Sequence, residues 1–170
     1  VLVGHSIGGM IIQTFCARHR DLLNSRVVGV VLANTTHTDP TRTMLFSSLI
    51  HPLEPLWRVL MKIDIALSPL LHLMNWQSYL SGHMQLAMRI GGFGEHPARA
   101  QVEHTALLST KASPAVKAKG NLAMMSWGVT DELPALAVPA LVFVGERDIV
   151  TKPHAGREIS QRMPQARVQE

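Results

Sequence analysis

The sequence predicts an α/β fold: a mostly parallel β-sheet with helices on both faces, interrupted by a helical insertion. Three stretches carry that prediction. Val1-Leu2-Val3 runs into Gly4-His5-Ser6-Ile7-Gly8-Gly9 and then into a helix-compatible segment. Val27 to Ala33 and Val138 to Val144 are continuous apolar runs rich in β-branched residues. Strands apolar on both faces belong to parallel sheets covered by helices. The first two runs with the helix between them make a βαβ unit, whose crossover is right-handed almost without exception.

The first stretch has the pattern of a nucleophile elbow: a strand ends, the chain turns sharply, and a helix begins. The turn is expected to hold Ser6 in strained backbone geometry. Gly4 and Gly8 are expected to be required there, because bulkier side chains would collide where strand and helix cross. The Ser6 hydroxyl then projects at the sheet edge. The backbone N–H of Ile7 falls at the helix start, where it can stabilise an oxyanion. Ile11, Ile12 and Phe15 mark the buried side of a helix that ends near Arg18-His19-Arg20, positive charges that suit a helix C-terminus.

After Ala33 the sheet pattern stops. From Asn34-Thr35-Thr36 to about Leu133 no strand is convincing, and Pro69, Gly82, Gly91-Gly92-Phe93-Gly94 and Pro97 punctuate helical pieces. Glu54 to Leu67, Ala98 to Leu108 and Ala115 to Trp127 are the clearest of these. The expected division is therefore 1–35 as the first part of an α/β core, 36–133 as a helical cap or lid, and 134–170 as the second part of the core. Met44, Met61, Met74, Met84 and Met88 fall in the insertion. They pack its helices together or, as flexible thioethers, line a pocket for an irregular apolar substrate. Asn34 and Thr35, at the end of a central strand, are pocket-lining candidates. The sheet returns at Val138 to Val144 and runs into Gly145-Glu146-Arg147-Asp148. A helix follows from about His154 to Met163, and a last strand begins near Arg167.

Composition narrows the function classes. At 170 residues and 46% hydrophobic content, the chain suits a globular domain with a real core. The net charge of +4 comes from scattered lysines and arginines that do not interleave with aromatics, which argues against nucleic-acid binding. Cys16 is the single cysteine, so no internal disulfide can form; it reads as a small packed hydrophobe, and a cytoplasmic location is expected. The greasiest stretch, Leu56 to Met74, is broken by Arg58, Lys62, Asp64 and Pro69, so no membrane span is expected. No histidine spacing suits a metal, and no cofactor is expected. Both ends look cut. Residue 1 enters the elbow strand at its last three residues, and Ala166 to Glu170 reads as a strand just beginning, so a fragment is expected.

Gly4-His5-Ser6-Ile7-Gly8-Gly9, the helical insertion, and Val138-Pro139 through Gly145-Glu146-Arg147-Asp148 together resemble the α/β-hydrolase fold family. They look most like its cofactor-free bacterial members with a helical cap. The resemblance implies Ser6 as nucleophile, Ile7 N–H as oxyanion donor and Asp148 as triad acid, with Glu146 as the nearest competing carboxylate. It puts the triad histidine beyond Glu170, outside this chain, and the second oxyanion donor before residue 1. His154 lies too close to Asp148 to replace that histidine, and His5 points elsewhere by the geometry of the turn.

What the resemblance implies chemically is a serine hydrolase acting through an acyl-enzyme on a carboxylic ester of a small or medium apolar substrate. Alternatives on the same fold are hydrolysis of a carbon–carbon bond in a vinylogous diketone, lactone hydrolysis, and acyl transfer to an alcohol or to peroxide. A serine at the elbow argues against haloalkane dehalogenation, which uses aspartate there. An alternative of another class is a non-catalytic binding protein that kept the elbow. The expected partner is a small ester-like molecule, and the oligomeric state is left open. Without the histidine, the chain on its own is expected to be nearly inactive.

Overall fold

Four short strands stand side by side in the order β1-β2-β3-β4, every neighbouring pair parallel. They are β1 (Leu2–His5), β2 (Val30–Ala33), β3 (Ala140–Phe143) and β4 (Ala166–Gln169). This architecture is that of a computed structural model, which describes residues 1–170. The register aligns His5, Ala33, Phe143 and Gln169 across the sheet, so all four strands end at one edge. β2 and β3 are shorter than their apolar runs. β2 starts only at Val30, and β3 only after Pro139, which has no N–H to give a ladder.

Helix α1 (Ile7–Arg18) follows β1, and helix α9 (Pro153–Arg162) links β3 to β4. Ile12 and Cys16 of α1 meet Val30, Leu32, Ala140 and Val142 of the strands, Ile159 of α9 and Met163 just after it in one core. Leu133, Leu136 and Val138 complete it. Leu32 and Ile159 are fully buried, and burying such side chains contributes about 2 kcal/mol each. Gly156 allows α9 to lie close, because a β-carbon there would sit 2.2 Å from Val144 Cγ1. Burial also pushes the Cys16 thiol pKa up, as suits a packed hydrophobe.

Both helices therefore cover the same face of the sheet. The parallel sheet with helices that the sequence led us to expect is the architecture found, with α1 and α9 on this face. The opposite face shows Val3, Leu141 and Phe143 at 72%, 37% and 40% exposure.

The chain divides into two compact units, Val1–Pro52 with Met125–Glu170, and Leu53–Met124. The expected insertion at 36–133 was thus drawn too wide at both ends. Its flanks belong with the sheet for a physical reason: they are buried and bonded there. Thr35, Thr36, His37, Asp39, Thr41 and Thr43 are all buried. Gln13 Nε2 of α1 donates to the Thr36 carbonyl at 2.9 Å, and Thr43 Oγ1 donates to Thr36 Oγ1 at 3.2 Å. Asp39 caps the short helix α2 (Pro40–Thr43), accepting from the Thr41 N–H at 2.9 Å, before a further short helix α3 (Ser47–Ile50). On the returning side Val129 and Leu133 enter the core, and Trp127 Nε1 donates to Thr14 Oγ1 at 2.8 Å.

The regular elements of the second unit are all helices: α4 (Glu54–Ala66), α5 (Ser68–Leu80), α6 (His83–Gly91), α7 (Arg99–Lys111) and α8 (Pro114–Met124). Arg58 and Glu54 pair one turn apart at 2.6 Å, on the polar stripe expected for α4. Ser68 Oγ receives the Ala115 N–H at 3.1 Å, and Tyr79 donates to the Glu103 carboxylate, fastening α5 to α8 and α7. No residue of α4, α5 or α6 is fully buried, and Leu56, Ile63, Leu70 and Leu73 are among the exposed ones. No helix is long and apolar enough to cross a membrane.

His37 ties the loop after β2 to two other segments. Its backbone carbonyl accepts from Val129 N–H at 2.9 Å, its Nδ1 lies 2.7 Å from Thr130 Oγ1, and its Nε2 lies 3.2 Å from a Glu158 carboxylate oxygen of α9, at poor hydrogen-bond alignment. Burial holds its pKa below the ordinary value; Glu158 opposes that shift, and the nearby Arg162 and His154 add to it. A histidine kept neutral by folding favours the native state above its unfolded pKa, and that stability is lost as pH falls through this value toward the folded one. Urea unfolding at pH 7.5 and 5.5 is expected to show lower stability at 5.5, and His37→Gln is expected to reduce that difference. An undiminished pH dependence in the variant would assign the effect to other groups.

Candidate active site

Ser6 sits between β1 and α1 with φ 52° and ψ −121°, a backbone conformation that side chains with a β-carbon rarely adopt. Hydrogen bonds fix it from both sides. Its N–H donates to the Ala33 carbonyl of β2 at 3.0 Å. Its carbonyl accepts from Gly9 N–H at 2.9 Å and from Thr35 Oγ1 at 2.7 Å. The Ser6 side chain makes no capping bond to the helix it precedes, and the residue is partly exposed. Ile7 opens α1, so its N–H has no partner one turn back and lies at the positive end of the helix dipole.

The close crossing of strand and helix is real, but the small residues it requires are Gly4 and Gly9. A β-carbon on Gly4 would meet the Gly8 carbonyl group at 2.5 Å, and one on Gly9 would meet Thr35 at 2.6 Å. Gly8, expected to be sterically required, has open space where its side chain would be. The reason is direction: position 8 points away from β1 and β2, whereas position 9 lies on the buried side of α1 against the loop after β2.

Asp148 follows β3 on a turn closed by its own N–H to the Gly145 carbonyl at 3.0 Å. Its Oδ1 accepts from the N–H groups of Val150 and Thr151 at 2.8 and 2.9 Å, and its Oδ2 accepts from Thr151 Oγ1 at 2.6 Å. Such bonds hold a carboxylate in one orientation. Glu146 is exposed, whereas Asp148 is partly buried. Ser6 and Asp148 lie at the same edge, after strands separated by β2 alone, which puts their strands about 10 Å apart at two strand spacings. That separation leaves room for a bridging group such as an imidazole rather than direct contact. His5 and His154 are both exposed.

Asn34 and Thr35 were expected to line a pocket, and Thr35 does not. It is 2% exposed, and its hydroxyl is spent on the Ser6 carbonyl. Asn34, at φ 43°, accepts the Gly145 N–H on its Oδ1 at 3.0 Å. Sequence reasoning placed both residues at the end of β2 but missed these roles, because partners about 30 and 110 positions away leave no local pattern. An open cavity of about 620 Å³, lined by Val1, Gly29, Pro139 and Ala166, lies at the opposite edge of the sheet from Ser6 and Asp148.

The two elbow positions make opposite predictions. Gly9→Ala is expected to destabilise the protein by about 1–3 kcal/mol through overpacking against Thr35. Gly8→Ala, in an open helical position, is expected to be neutral or stabilising by up to about 1 kcal/mol. Urea unfolding of both variants checks this, and equal losses would contradict it.

The family profile described as Hydrolase_4, serine aminopeptidase S33, matches residues 1–169. No curated protein sequence matches the chain. Among solved structures, an esterase from Exiguobacterium antarcticum superposes with a TM-score of 0.63 at 16% identity, covering 98% of this chain and 56% of its own. A hydrolase from Pseudomonas aeruginosa PA01 gives 0.63 at 19% identity, with 98% and 54% covered. Est816, described as an N-acyl homoserine lactone degrading enzyme, gives 0.57 at 18% identity, with 98% and 56% covered. The chain thus spans about half the length of the structures it matches, and at these identities the likeness is one of fold. With the profile match extending over nearly all of its residues, the chain belongs to the Hydrolase_4 family of α/β hydrolases.

Proposed function

We propose that the full-length protein is a serine hydrolase that cleaves a carboxylic ester of a small or medium apolar substrate through an acyl-enzyme. The observation that carries this reading is Ser6, held at φ 52° before the free N-terminal end of α1, at the same sheet edge as an Asp148 carboxylate oriented by three hydrogen bonds. A strained nucleophile beside an unoccupied backbone donor is the arrangement acyl transfer requires.

A serine hydroxyl becomes a competent nucleophile when an imidazole removes its proton. In the proposed reaction that imidazole comes from a histidine on the loop after β4, and Asp148 holds it in the right tautomer. Ser6 Oγ bonds to the ester carbonyl carbon, and the carbonyl electron pair moves to oxygen, where the Ile7 N–H stabilises it. Collapse of this intermediate breaks the ester C–O bond, and the imidazolium gives its proton to the departing alcohol. Water then attacks the acyl-serine with the same imidazole as base, releasing the acid and restoring Ser6. The apolar second unit, residues 53–124, is proposed as the cap that selects the substrate, with no cofactor taking part.

Two other substrates have specific support. The family description names an aminopeptidase, which favours an amide with a free amino end. The lactone-degrading neighbour shares this fold, and a lactone is an internal ester open to the same attack. Carbon–carbon cleavage and acyl transfer would use the same serine.

Fluorophosphonate labelling of the full-length protein, read by intact mass and peptide mapping, is expected to give one adduct on Ser6 that Ser6→Ala abolishes. Asp148→Asn is expected to lower ester turnover by about two to four orders of magnitude while leaving the fold intact. A folded protein without a Ser6 adduct would overturn the hydrolase reading. Initial rates on p-nitrophenyl esters, a lactone, a vinylogous diketone and an aminoacyl anilide separate the substrate classes; faster anilide cleavage would replace the ester reading with a peptidase one.

A further inference from the structure

The Ser6 turn and the Asp148 turn lie at the same sheet edge, on either side of the end of β2. The segment between them, the chain leaving β2, is bonded to both. Ala33 accepts the Ser6 N–H at 3.0 Å, and Thr35 Oγ1 donates to the Ser6 carbonyl at 2.7 Å. On the other side, Asn34 N–H donates to the Phe143 carbonyl at 3.0 Å, and Asn34 Oδ1 accepts the Gly145 N–H at 3.0 Å. Gly145 in turn accepts the Asp148 N–H at 3.0 Å. Three hydrogen bonds, linked by the covalent chain at Asn34-Thr35 and at Gly145, thus connect the serine carbonyl to the aspartate amide through two adjacent side chains.

We propose that Asn34 and Thr35 are positioning residues for the reaction, a two-residue clasp that fixes the nucleophile turn relative to the acid turn. This rests on reading Ser6 as nucleophile and Asp148 as acid. Neither residue need touch substrate. Thr35 is 2% exposed and packs against Gly9, where a β-carbon would come within 2.6 Å of it. Asn34 adopts φ 43°, a left-handed conformation that asparagine tolerates better than most residues. Adjacent residues bonded to opposite sides leave little freedom for one turn to shift alone, and acyl transfer is sensitive to such shifts.

The test uses the full-length protein and four variants. Thr35→Val keeps the shape and removes the hydroxyl, while Thr35→Ser keeps the hydroxyl. Asn34→Gly suits the backbone and removes the acceptor, while Asn34→Asp keeps an acceptor oxygen. The rate of fluorophosphonate labelling at Ser6, kcat and KM on a p-nitrophenyl ester, and the melting temperature are measured for each. Thr35→Val and Asn34→Gly are expected to slow labelling and kcat by about fivefold to tenfold at unchanged KM. Thr35→Ser and Asn34→Asp are expected to recover most of the rate. Folded Val and Gly variants reacting at the unmodified rate would overturn the clasp. So would losses that track melting temperature across all four variants, since that marks a merely structural role. Amide hydrogen exchange of Gly145 in the unmodified protein supplies a reading that needs no variant. Protection is expected, and exchange as fast as a free loop amide would overturn the proposal. A folded protein with no Ser6 label but a protected Gly145 would sink the hydrolase reading while leaving the hydrogen-bonded path in place.

Discussion

The backbone of Ser6 is the constraint on which the rest of this structure depends. Its positive φ costs of order 1–3 kcal/mol, and such a conformation persists only where its surroundings over-determine it. Here the surroundings are specific. Ala33 and Thr35 bond the residue on two sides, Gly9 N–H closes the turn, and Gly4 and Gly9 let the strand, the helix and the loop after β2 approach closely enough for those bonds to form. The strain and its supports come from β1, α1 and the end of β2 together, so the elbow is a property of the sheet rather than of five consecutive residues.

The same logic explains why so polar a segment as Asn34-Thr35-Thr36-His37-Thr38-Asp39 is largely buried. A loop at the end of a central strand must satisfy its polar groups without water, and short hydroxyl side chains do so over small distances. Gln13, Thr43 and Thr130 supply partners, and nearly every buried side-chain polar atom in the segment has one. Parallel strands end together at this edge, so the loops after β1, β2 and β3 are neighbours by construction. Open α/β sheets place their functional groups at this edge for that reason.

Much of this was legible in the sequence because it is local. Val1-Leu2-Val3 before Gly4-His5-Ser6 and a helix after it can hardly fold otherwise, and the β-branched runs at Val30 and Val142 place the buried strands. Glu54 to Leu67 and His154 to Met163 each lie within a residue of the observed α4 and α9. What misled was composition without contact. The threonine-rich run from Thr36 reads as the start of the helical insertion, and only Gln13 and the sheet edge reveal it as part of the core unit. Gly8 and Gly9 are indistinguishable in sequence, and only the helix phase, set by β2, decides which one faces Thr35. The roles of Asn34 and Thr35 depend on Ser6 and Gly145, whose proximity is a product of the fold.

The role proposed for this turn is to hold Ser6 for attack with the Ile7 N–H facing the developing charge. The most direct test is a crystal structure of the full-length protein after reaction with a fluorophosphonate. Phosphorus is expected to be bonded to Ser6 Oγ, with a phosphonyl oxygen about 2.7–3.1 Å from the Ile7 N. An unmodified Ser6 in a folded crystal, or an adduct whose oxygens all point away from Ile7, would contradict it.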